Sequence, residues 1–237
     1  MIILISLATV VSTFLGGLFA LRYKDHLHLI LSFSAGAVIG VAFFDLLPEA
    51  INLASKNYDV AFITSVVAAG FTLFMILDRA VQLYVKHNDC ADGHHTGHLG
   101  AGSLSTHSFL DGLAIGLAFQ VSATVGWVVA TAVLVHDFSD GINTVNMILK
   151  NRGSSKQALH WLILDAIAPA LGALTTLFFH LPEVTLGLVL ALFCGFFLYI
   201  GASDLLPESH HRHPTWLTTF ITVMGIAVLY GAIQLAV

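Results

Sequence analysis

Two short stretches of this sequence share the pattern His-x-Phe-x-Asp-Gly, and they carry the residues best suited to chemistry. The first stretch begins at His107 and the second at His136, 29 positions later. Side chains four positions apart lie on the same face of a helix, so each stretch would present an imidazole and a carboxylate together. This combination suits Zn²⁺ or Fe²⁺ far better than Na⁺ or Ca²⁺. The predicted ligands of a transition-metal site are His107, Asp111, His136 and Asp140.

Further polar groups lie beside these pairs within apolar stretches. Ser108 and Asp137 each project about 100° around a helix from the adjacent histidine, where they would line a neighbouring second site. Asp165 is another carboxylate in an apolar run. With Asp111 and Asp140, these carboxylates would add roughly 10–14 kcal/mol to membrane insertion if uncompensated, at ~2.5–3.5 kcal/mol each. No Lys or Arg lies within these runs, so either a bound cation or protonation must offset the charge.

The stretches around these residues have the composition of membrane helices. Hydrophobic residues make up 57% of the 237 residues and charged residues 10%, with a formal net charge of −5. A soluble domain is nearer 45–50% apolar and about 25% charged. A nucleic-acid-binding protein needs a basic surface, whereas this chain has only 9 Lys and Arg residues. The predicted fold class is therefore an all-α membrane protein, with no nucleic acid among its partners.

Eight apolar runs are each long enough to cross about 30 Å of hydrocarbon as a helix. The odd-numbered loops between them carry eight of the nine basic residues, and Lys56 is the exception. Cytoplasmic loops are enriched in Lys and Arg, so we expect both termini outside and one transmembrane domain covering residues 1–237. The compact size and the lack of a targeting segment favour the cell (inner or plasma) membrane. The runs cover residues 2–21, 29–51, 60–78, 101–121, 125–149, 158–179, 186–206 and 215–236.

The motif Asp-Leu-Leu-Pro-Glu occurs at 45–49 and again 159 positions later, at 204–208. The same offset places runs 1–3 nearly onto runs 6–8, and an odd number of spans inverts the second set. The sequence thus predicts an inverted 3+2+3 repeat with runs 4 and 5 paired, an arrangement that secondary transporters use for alternating access. The acidic pairs would concentrate cations at both mouths; a helix-ending proline motif is a plainer and compatible interpretation. The predicted pathway contains Asp45, Glu49, Asn143, Asp204 and Glu208.

The stretch 85–100, between runs 3 and 4, is rich in histidine and is predicted to be a cytoplasmic loop. Its ligand types suit transition metals, although their spacing matches no closed zinc site. Two interpretations stay open: a loop that gathers metal with low affinity or regulates transport, and a solvated linker. The same two interpretations apply to two histidines after the second acidic motif. The accessory candidates are His87, Cys90, His94, His95, His98, His210 and His211.

Together these features resemble the ZIP (Zrt/Irt-like protein) family of divalent-metal transporters, in a prokaryotic-type form. The resemblance covers essentially the whole chain, including the eight spans, the His-rich loop, the paired motifs in spans 4 and 5, and the runs SAGAVIGVAFFDLLPE and GFFLYIGASDLLPE. It implies that up to two ions bind, with the four ligands named above holding the primary ion. Ser108, Asp137 and Asp165 would complete a second site, bridged by Asp111 or Asp140. It also implies that the metal-bearing helices move as a unit against a scaffold that includes spans 2 and 7.

Two residues depart from the family pattern. Ser108 stands where many relatives have Asn, which weakens the second site. Asp140 stands where many eukaryotic members have His, which makes the primary site harder and more anionic. Such a site broadens the expected cargo from Zn²⁺ toward Fe²⁺, Mn²⁺ or Cd²⁺. The predicted function is the transport of these divalent ions into the cytoplasm.

Two functions from other classes stay open. An intramembrane zinc hydrolase would use Asp140 or Asp137 as a general base on a metal-bound water, although the sequence has no candidate nucleophile elbow or oxyanion donor set. A non-transporting metal sensor would depend on the His-rich loop and leave the bilayer carboxylates dispensable. We expect a transporter rather than an enzyme. Small residues in spans 3 and 8 would allow a homodimer.

Overall fold

The computed structural model describes residues 2–22, 27–88, 94–151, 153–207 and 215–236. Every regular element in these ranges is a helix. The α-helices are α1 (Ile2–Arg22), α2 (Leu27–Val41), α3 (Leu47–Ala54), α4 (Val60–Asn88), α5 (His94–Val121), α6 (Ala123–Lys150), α7 (Ser155–Thr175), α8 (Glu183–Tyr199) and α9 (Trp216–Ala236). Two π-helical segments, Ala42–Leu46 and Ile200–Leu205, and a short 3₁₀ turn, Thr176–Phe178, continue α2, α8 and α7.

Seven helical stretches of the described chain are long and apolar enough to cross a membrane. They correspond to all the predicted runs except the fourth, which lies in α5. That helix has 28 residues, but the polar residues of the His-rich stretch and the first motif lower its hydropathy. The all-helical fold, with several helices long and apolar enough to span a membrane, is thus confirmed, while the count of eight spans stays a prediction.

Two helices, α4 and α5, extend into the stretch 85–100 that is predicted to be a loop. α4 continues to Asn88, and α5 already begins at His94. The stretch 85–100 is therefore helical at 85–88 and at 94–100, and residues 89–93 lie outside the described part of the chain. Gly97 and Gly100 do not break α5, because they pack against the C-terminal end of α6.

The second motif is held in place by close contact between α6 and α1. Gly141 lies against the carbonyl of Thr13, and Gly16 lies against the carbonyl of Phe138. A side chain at either glycine would collide with that carbonyl, so the two backbones approach each other only because both residues are glycine. Ser122 begins α6 by accepting a hydrogen bond from the Val125 N–H, which fixes where the helix starts.

The contact between α5 and α7 repeats this arrangement for the first motif. Gly112 lies against the carbonyl of Pro169, and Gly172 lies against the carbonyl of Phe109. α5 and α6 also pack directly on each other, so the two motif helices form a central pair flanked by α1 and α7. The final glycine of each His-x-Phe-x-Asp-Gly motif thus serves helix packing, and the His and Asp are left to face inward.

Outside this group, α2 packs on α9, and α8 packs on α4 and α3. Both Asp-Leu-Leu-Pro-Glu motifs begin inside a π-helical segment, at Asp45 and Asp204. In the first segment the carbonyl of Ala42 accepts the Leu47 N–H, and the buried thiol of Cys194 donates to the same carbonyl at 3.2 Å. π segments in helices are frequent at functional sites, and here the two segments occur at matching positions of the repeated motif.

Candidate metal centre

Four side chains of α5 and α6 converge in the centre of the helix bundle. One ligand atom from each of them lies within 4.8 Å of all the others. The carboxylate of Asp111 is nearest to both imidazoles: its Oδ2 is 3.2 Å from His107 Nε2 and 3.3 Å from His136 Nε2. Asp140 Oδ2 is 3.5 Å from His107 Nε2 and 3.8 Å from His136 Nε2. The structure therefore brings together the four predicted primary ligands, as two nitrogen and two oxygen donors.

These four side chains are buried, at 0–7% exposed. Within the described residues, Asp111 Oδ1 and Asp140 Oδ2 have no hydrogen-bond partner. His136 Nδ1 lies 3.0 Å from the carbonyl oxygen of Ala132; a carbonyl oxygen only accepts, so Nδ1 donates to it and Nε2 is the nitrogen that would bind a metal. Such a backbone partner is the usual way to fix the tautomer of a metal-binding histidine. The chemistry of the donor set fits a four-coordinate divalent ion such as Zn²⁺.

Aromatic rings cover the two histidines on the side of α4 and α8. The ring centroid of Phe196 lies 5.3 Å from that of His107, and Phe74 lies 6.1 Å from it. Phe197 lies 5.9 Å from His136. Sequence analysis did not assign a role to these aromatic residues. They exclude water from this side of the centre, and a low local dielectric strengthens the attraction between a cation and the carboxylates.

A second group of polar side chains lies beside the first. Ser108 Oγ donates to Asp165 Oδ1 at 2.8 Å, and Thr144 Oγ1 donates to Asp165 Oδ2 at 2.7 Å. Asp137 is fully buried, and neither of its carboxylate oxygens has a partner among the described residues. The structure thus joins two of the three residues predicted for a second site, Ser108 and Asp165. The side chain of Asp137 is not among those that converge on the primary centre.

Sequence analysis missed Thr144, which lies at the same carboxylate. A signal for it existed, since Thr144 follows Asp140 by four positions and so shares its face of α6. The neighbouring Asn143, which was predicted to line the pathway, is half-buried one position earlier.

The remaining residues predicted for the pathway belong to the two Asp-Leu-Leu-Pro-Glu motifs. Asp45 is 9% exposed, and its Oδ2 has no hydrogen-bond partner among the described residues. Glu49 follows in α3 and is half-buried. For Asp204 the structure describes the backbone alone, and Glu208 lies outside the described residues. Of the predicted pathway residues, the structure therefore describes the side chains of Asp45, Glu49 and Asn143, and their role stays a prediction.

Of the accessory candidates, the structure describes the side chain of His98. Its Nδ1 accepts a hydrogen bond of 2.6 Å from Trp161 Nε1, which ties the start of α5 to α7. The backbones of three others lie at the end of α4 and the start of α5; they are His87, His94 and His95. Cys90, His210 and His211 lie outside the described residues. One ring nitrogen of His98 is therefore used in a hydrogen bond between helices.

Comparison with known proteins supports a metal-transport centre. The family model described as ZIP Zinc transporter matches residues 1–103 and 100–233. Zinc transporter ZupT of Corynebacterium aurimucosum is 27% identical over 246 residues, which covers 95% of this chain and 92% of the relative. Human zinc transporter ZIP6 is 31% identical over 136 residues, and mouse zinc transporter ZIP10 is 31% identical over 140 residues.

The animal relatives are much longer proteins. The match covers 54% of this chain but 18% of human ZIP6, and 55% of this chain but 17% of mouse ZIP10. The bacterial relative, in contrast, aligns over nearly its whole length. The family model and the relatives are named as transporters. They support neither the hydrolase nor the sensor. The expectation that the chain is not an enzyme is confirmed. With the family model matched along almost all of its length, this chain belongs to the ZIP zinc transporter family and is a multi-pass membrane protein.

Proposed function

We propose that this protein carries divalent transition-metal ions, Zn²⁺ foremost, across a membrane into the cytoplasm. The observation that carries the proposal is the group of four buried ligand atoms within 4.8 Å of one another, on two adjacent helices. Relatives from bacteria and animals are named as zinc transporters. Because the primary centre combines nitrogen and hard oxygen ligands, Fe²⁺, Mn²⁺ and Cd²⁺ are further candidates for the cargo.

The primary centre would bind the ion by replacing its hydration shell. The two carboxylates balance the charge of a divalent ion, and the imidazole nitrogens favour a transition metal over Mg²⁺ or Ca²⁺. Transport also requires that the ion leave, so the binding must not be too tight. Close contact between carboxylates and imidazoles supports such release, because the histidines can pair with the aspartates after the ion has left. The primary ligands are His107, Asp111, His136 and Asp140.

A second ion would bind next to the first, with Asp111 or Asp140 bridging the two. The second site would use Ser108, Asp137 and Asp165, in line with the family resemblance. The two unpartnered oxygens of the buried Asp137 support it, since a buried carboxylate without a hydrogen-bond donor is costly.

The route through the protein would begin at the first acidic motif. We place Asp45 and Glu49 at the outer mouth, where they attract cations. From the centre the ion would pass Asn143 and reach the second acidic motif at the inner mouth, where Asp204 and Glu208 lie. The accessory group that would receive it there comprises His87, Cys90, His94, His95, His98, His210 and His211.

The architecture that we infer is eight spans in an inverted 3+2+3 repeat, with both termini outside. Matching π segments in α2 and α8 support the repeat. So do matching helix contacts: Gly36 and Gly225 lie between α2 and α9 as Gly195 and Gly70 lie between α8 and α4, each against a backbone carbonyl of the other helix. An inverted repeat of this kind suits alternating access.

The whole chain would then be one transporter domain in the cell (inner or plasma) membrane. The stretch 85–100 would face the cytoplasm. Small residues in α4 and α9 would permit a homodimer, because they let helices of two copies approach closely.

The test is Zn²⁺ uptake into liposomes that contain the purified protein and an internal zinc dye. Uptake by the parent should fall at least tenfold in His107→Ala and in Asp140→Asn. His180→Ala, which changes an exposed histidine, serves as the matched control and should transport like the parent. Size-exclusion profiles and melting temperatures establish that all four proteins are folded. A folded parent that binds Zn²⁺ but passes none would contradict the proposed function.

A further inference from the structure

Asp165 is held by two hydroxyl groups from two different helices. Thr144 of α6 donates to Oδ2 at 2.7 Å, and Ser108 of α5 donates to Oδ1 at 2.8 Å. All three side chains are buried, at 0–1% exposed. Because the two donors approach different oxygens of one carboxylate, they fix both the position and the plane of that group.

The two donors are not equivalent. Ser108 Oγ also lies 3.1 Å from the carbonyl oxygen of Leu104, so its single proton is shared between two acceptors. Among the described residues, the hydroxyl of Thr144 donates to Asp165 alone. Thr144 is therefore the firmer of the two supports, and it connects α6 with α7 at the depth of the metal centre.

These hydrogen bonds leave the carboxylate able to bind a metal ion. Each carboxylate oxygen can accept about two interactions, so one donor at each oxygen leaves a free position on both. Asp137 shows the contrasting case, since it is fully buried and neither of its oxygens has a partner among the described residues. One carboxylate is thus oriented in advance, and the other is left for a cation.

We propose that Thr144 is a positioning residue for the second ion: its hydroxyl orients Asp165 as a ligand of that ion. The inference rests on the proposed function, because it assumes that a second divalent ion binds beside the primary centre. Residues that orient a metal ligand by a hydrogen bond usually change metal affinity by about 10–100-fold when they are replaced. The primary centre has its own ligands and does not need Thr144.

The experiment is a calorimetric titration of Zn²⁺ into the purified full chain in detergent. Thr144→Val keeps the shape of the side chain and removes the hydroxyl, whereas Thr144→Ser keeps the hydroxyl and serves as the control. We expect the parent to bind two ions, and Thr144→Val to weaken the second binding step by about 10–100-fold while the first step stays unchanged. Thr144→Ser should restore the second step to the parent value.

A double-variant comparison separates positioning from packing. If Thr144 acts through the carboxylate, Thr144→Val should cause no further loss in an Asp165→Asn background. Any one of four results would overturn the inference. They are equal weakening of both binding steps, two unchanged binding steps, a further loss of affinity in the Asp165→Asn background, and a parent that binds one ion only. Liposome uptake by the same parent preparation tests the proposed function independently: a parent without uptake contradicts transport, and a transporting parent with an unaffected Thr144→Val contradicts only the role of Thr144.

Discussion

At the scale of single residues, Asp137 is the buried carboxylate that most needs a binding partner. Its side chain is fully buried, and both oxygens lack a partner among the described residues. Asp165, close by in the same group of helices, has a hydroxyl donor at each oxygen. Burial of a charged group without a partner is unfavourable. The local chemistry therefore points to a cation at Asp137, while the protein already supplies one hydrogen-bond donor to each oxygen of Asp165.

Asp137→Asn should lower the number of bound ions from two to one. The amide has nearly the same shape but carries no charge, so it binds a divalent ion poorly, while the primary ligands are unchanged. Zinc content per protein, measured by elemental analysis after dialysis against dilute Zn²⁺, gives the result. Asp59→Asn, at an exposed position before α4, is the control for the loss of a carboxylate. Retention of two ions by Asp137→Asn would show that this residue does not hold the second one.

His136→Ala should abolish most of the stabilisation that Zn²⁺ gives the folded protein. A ligand present at about 100 times its Kd stabilises the folded state by about 2.7 kcal/mol, and removal of a primary ligand lowers the affinity on which this depends. The measurement is the shift of the melting temperature on adding Zn²⁺, with His160→Ala, an exposed histidine of α7, as the control. An equal shift in both variants would place the stabilising ion elsewhere.

At the scale of helices, the centre depends on how closely α5 and α6 approach their outer neighbours. Gly112 and Gly141 each face a backbone carbonyl, in α7 and α1 respectively. The same contacts bring Asp165 of α7 to the hydroxyls of α5 and α6. The repeated motif therefore combines two tasks in six residues: His and Asp face the proposed metal centre, and Gly sets the distance to the next helix.

Gly112→Ala should destabilise the protein by about 1–3 kcal/mol, because the added methyl group collides with the Pro169 carbonyl and forces the helices apart. Zinc uptake should fall as well, since Asp165 moves away from Ser108. Gly231→Ala is the matched control: nothing lies within 4 Å of its added methyl group, and this change in a helix should be neutral or stabilising by about 0.4–1 kcal/mol. Equal melting temperatures for the two variants would contradict the packing argument.

Much of this helical arrangement follows from local rules. The convergence of His107 and Asp111 could be predicted because residues four apart share a helix face. Thr144 was missed because threonine is common in apolar helices, and its contact with Asp165 exists only through the packing of α6 on α7. The π segments were also missed, since they change the backbone hydrogen bonding without a distinct residue pattern. The helical ends of the stretch 85–100 were missed for a related reason, because Gly97 and Gly100 are stabilised by contacts with α6 that the local sequence does not reveal.

At the scale of the whole molecule, transport into the cytoplasm requires a defined orientation in the membrane. Family membership and seven long apolar helices establish a multi-pass membrane protein. The number of spans and the location of the termini depend on α5, whose hydropathy is lowered by its polar residues, the proposed metal ligands among them. The functional residues themselves thus obscure the helix that carries them, and charge distribution in the loops becomes the better guide to topology.

Cysteine labelling tests this orientation directly. In a Cys90→Ser background, where the remaining Cys194 is fully buried, Lys56→Cys should react with a membrane-impermeant maleimide in intact cells. Ser155→Cys, at the exposed start of α7, should react only after the cells are permeabilised. The reverse pattern would place the termini inside, and labelling of both in intact cells would rule out the proposed number of spans between them.

The central claim is that two histidines and two aspartates of α5 and α6 hold the transported ion. X-ray absorption at the zinc edge, on purified protein loaded with one equivalent of Zn²⁺, tests it most directly. We expect a shell of four nitrogen and oxygen ligands at about 2.0–2.2 Å, with outer-shell scattering from two imidazole rings in the parent and from one in His136→Ala. A shell that contains sulfur, or one that is unchanged in His136→Ala, would contradict the claim and place the ion outside this centre.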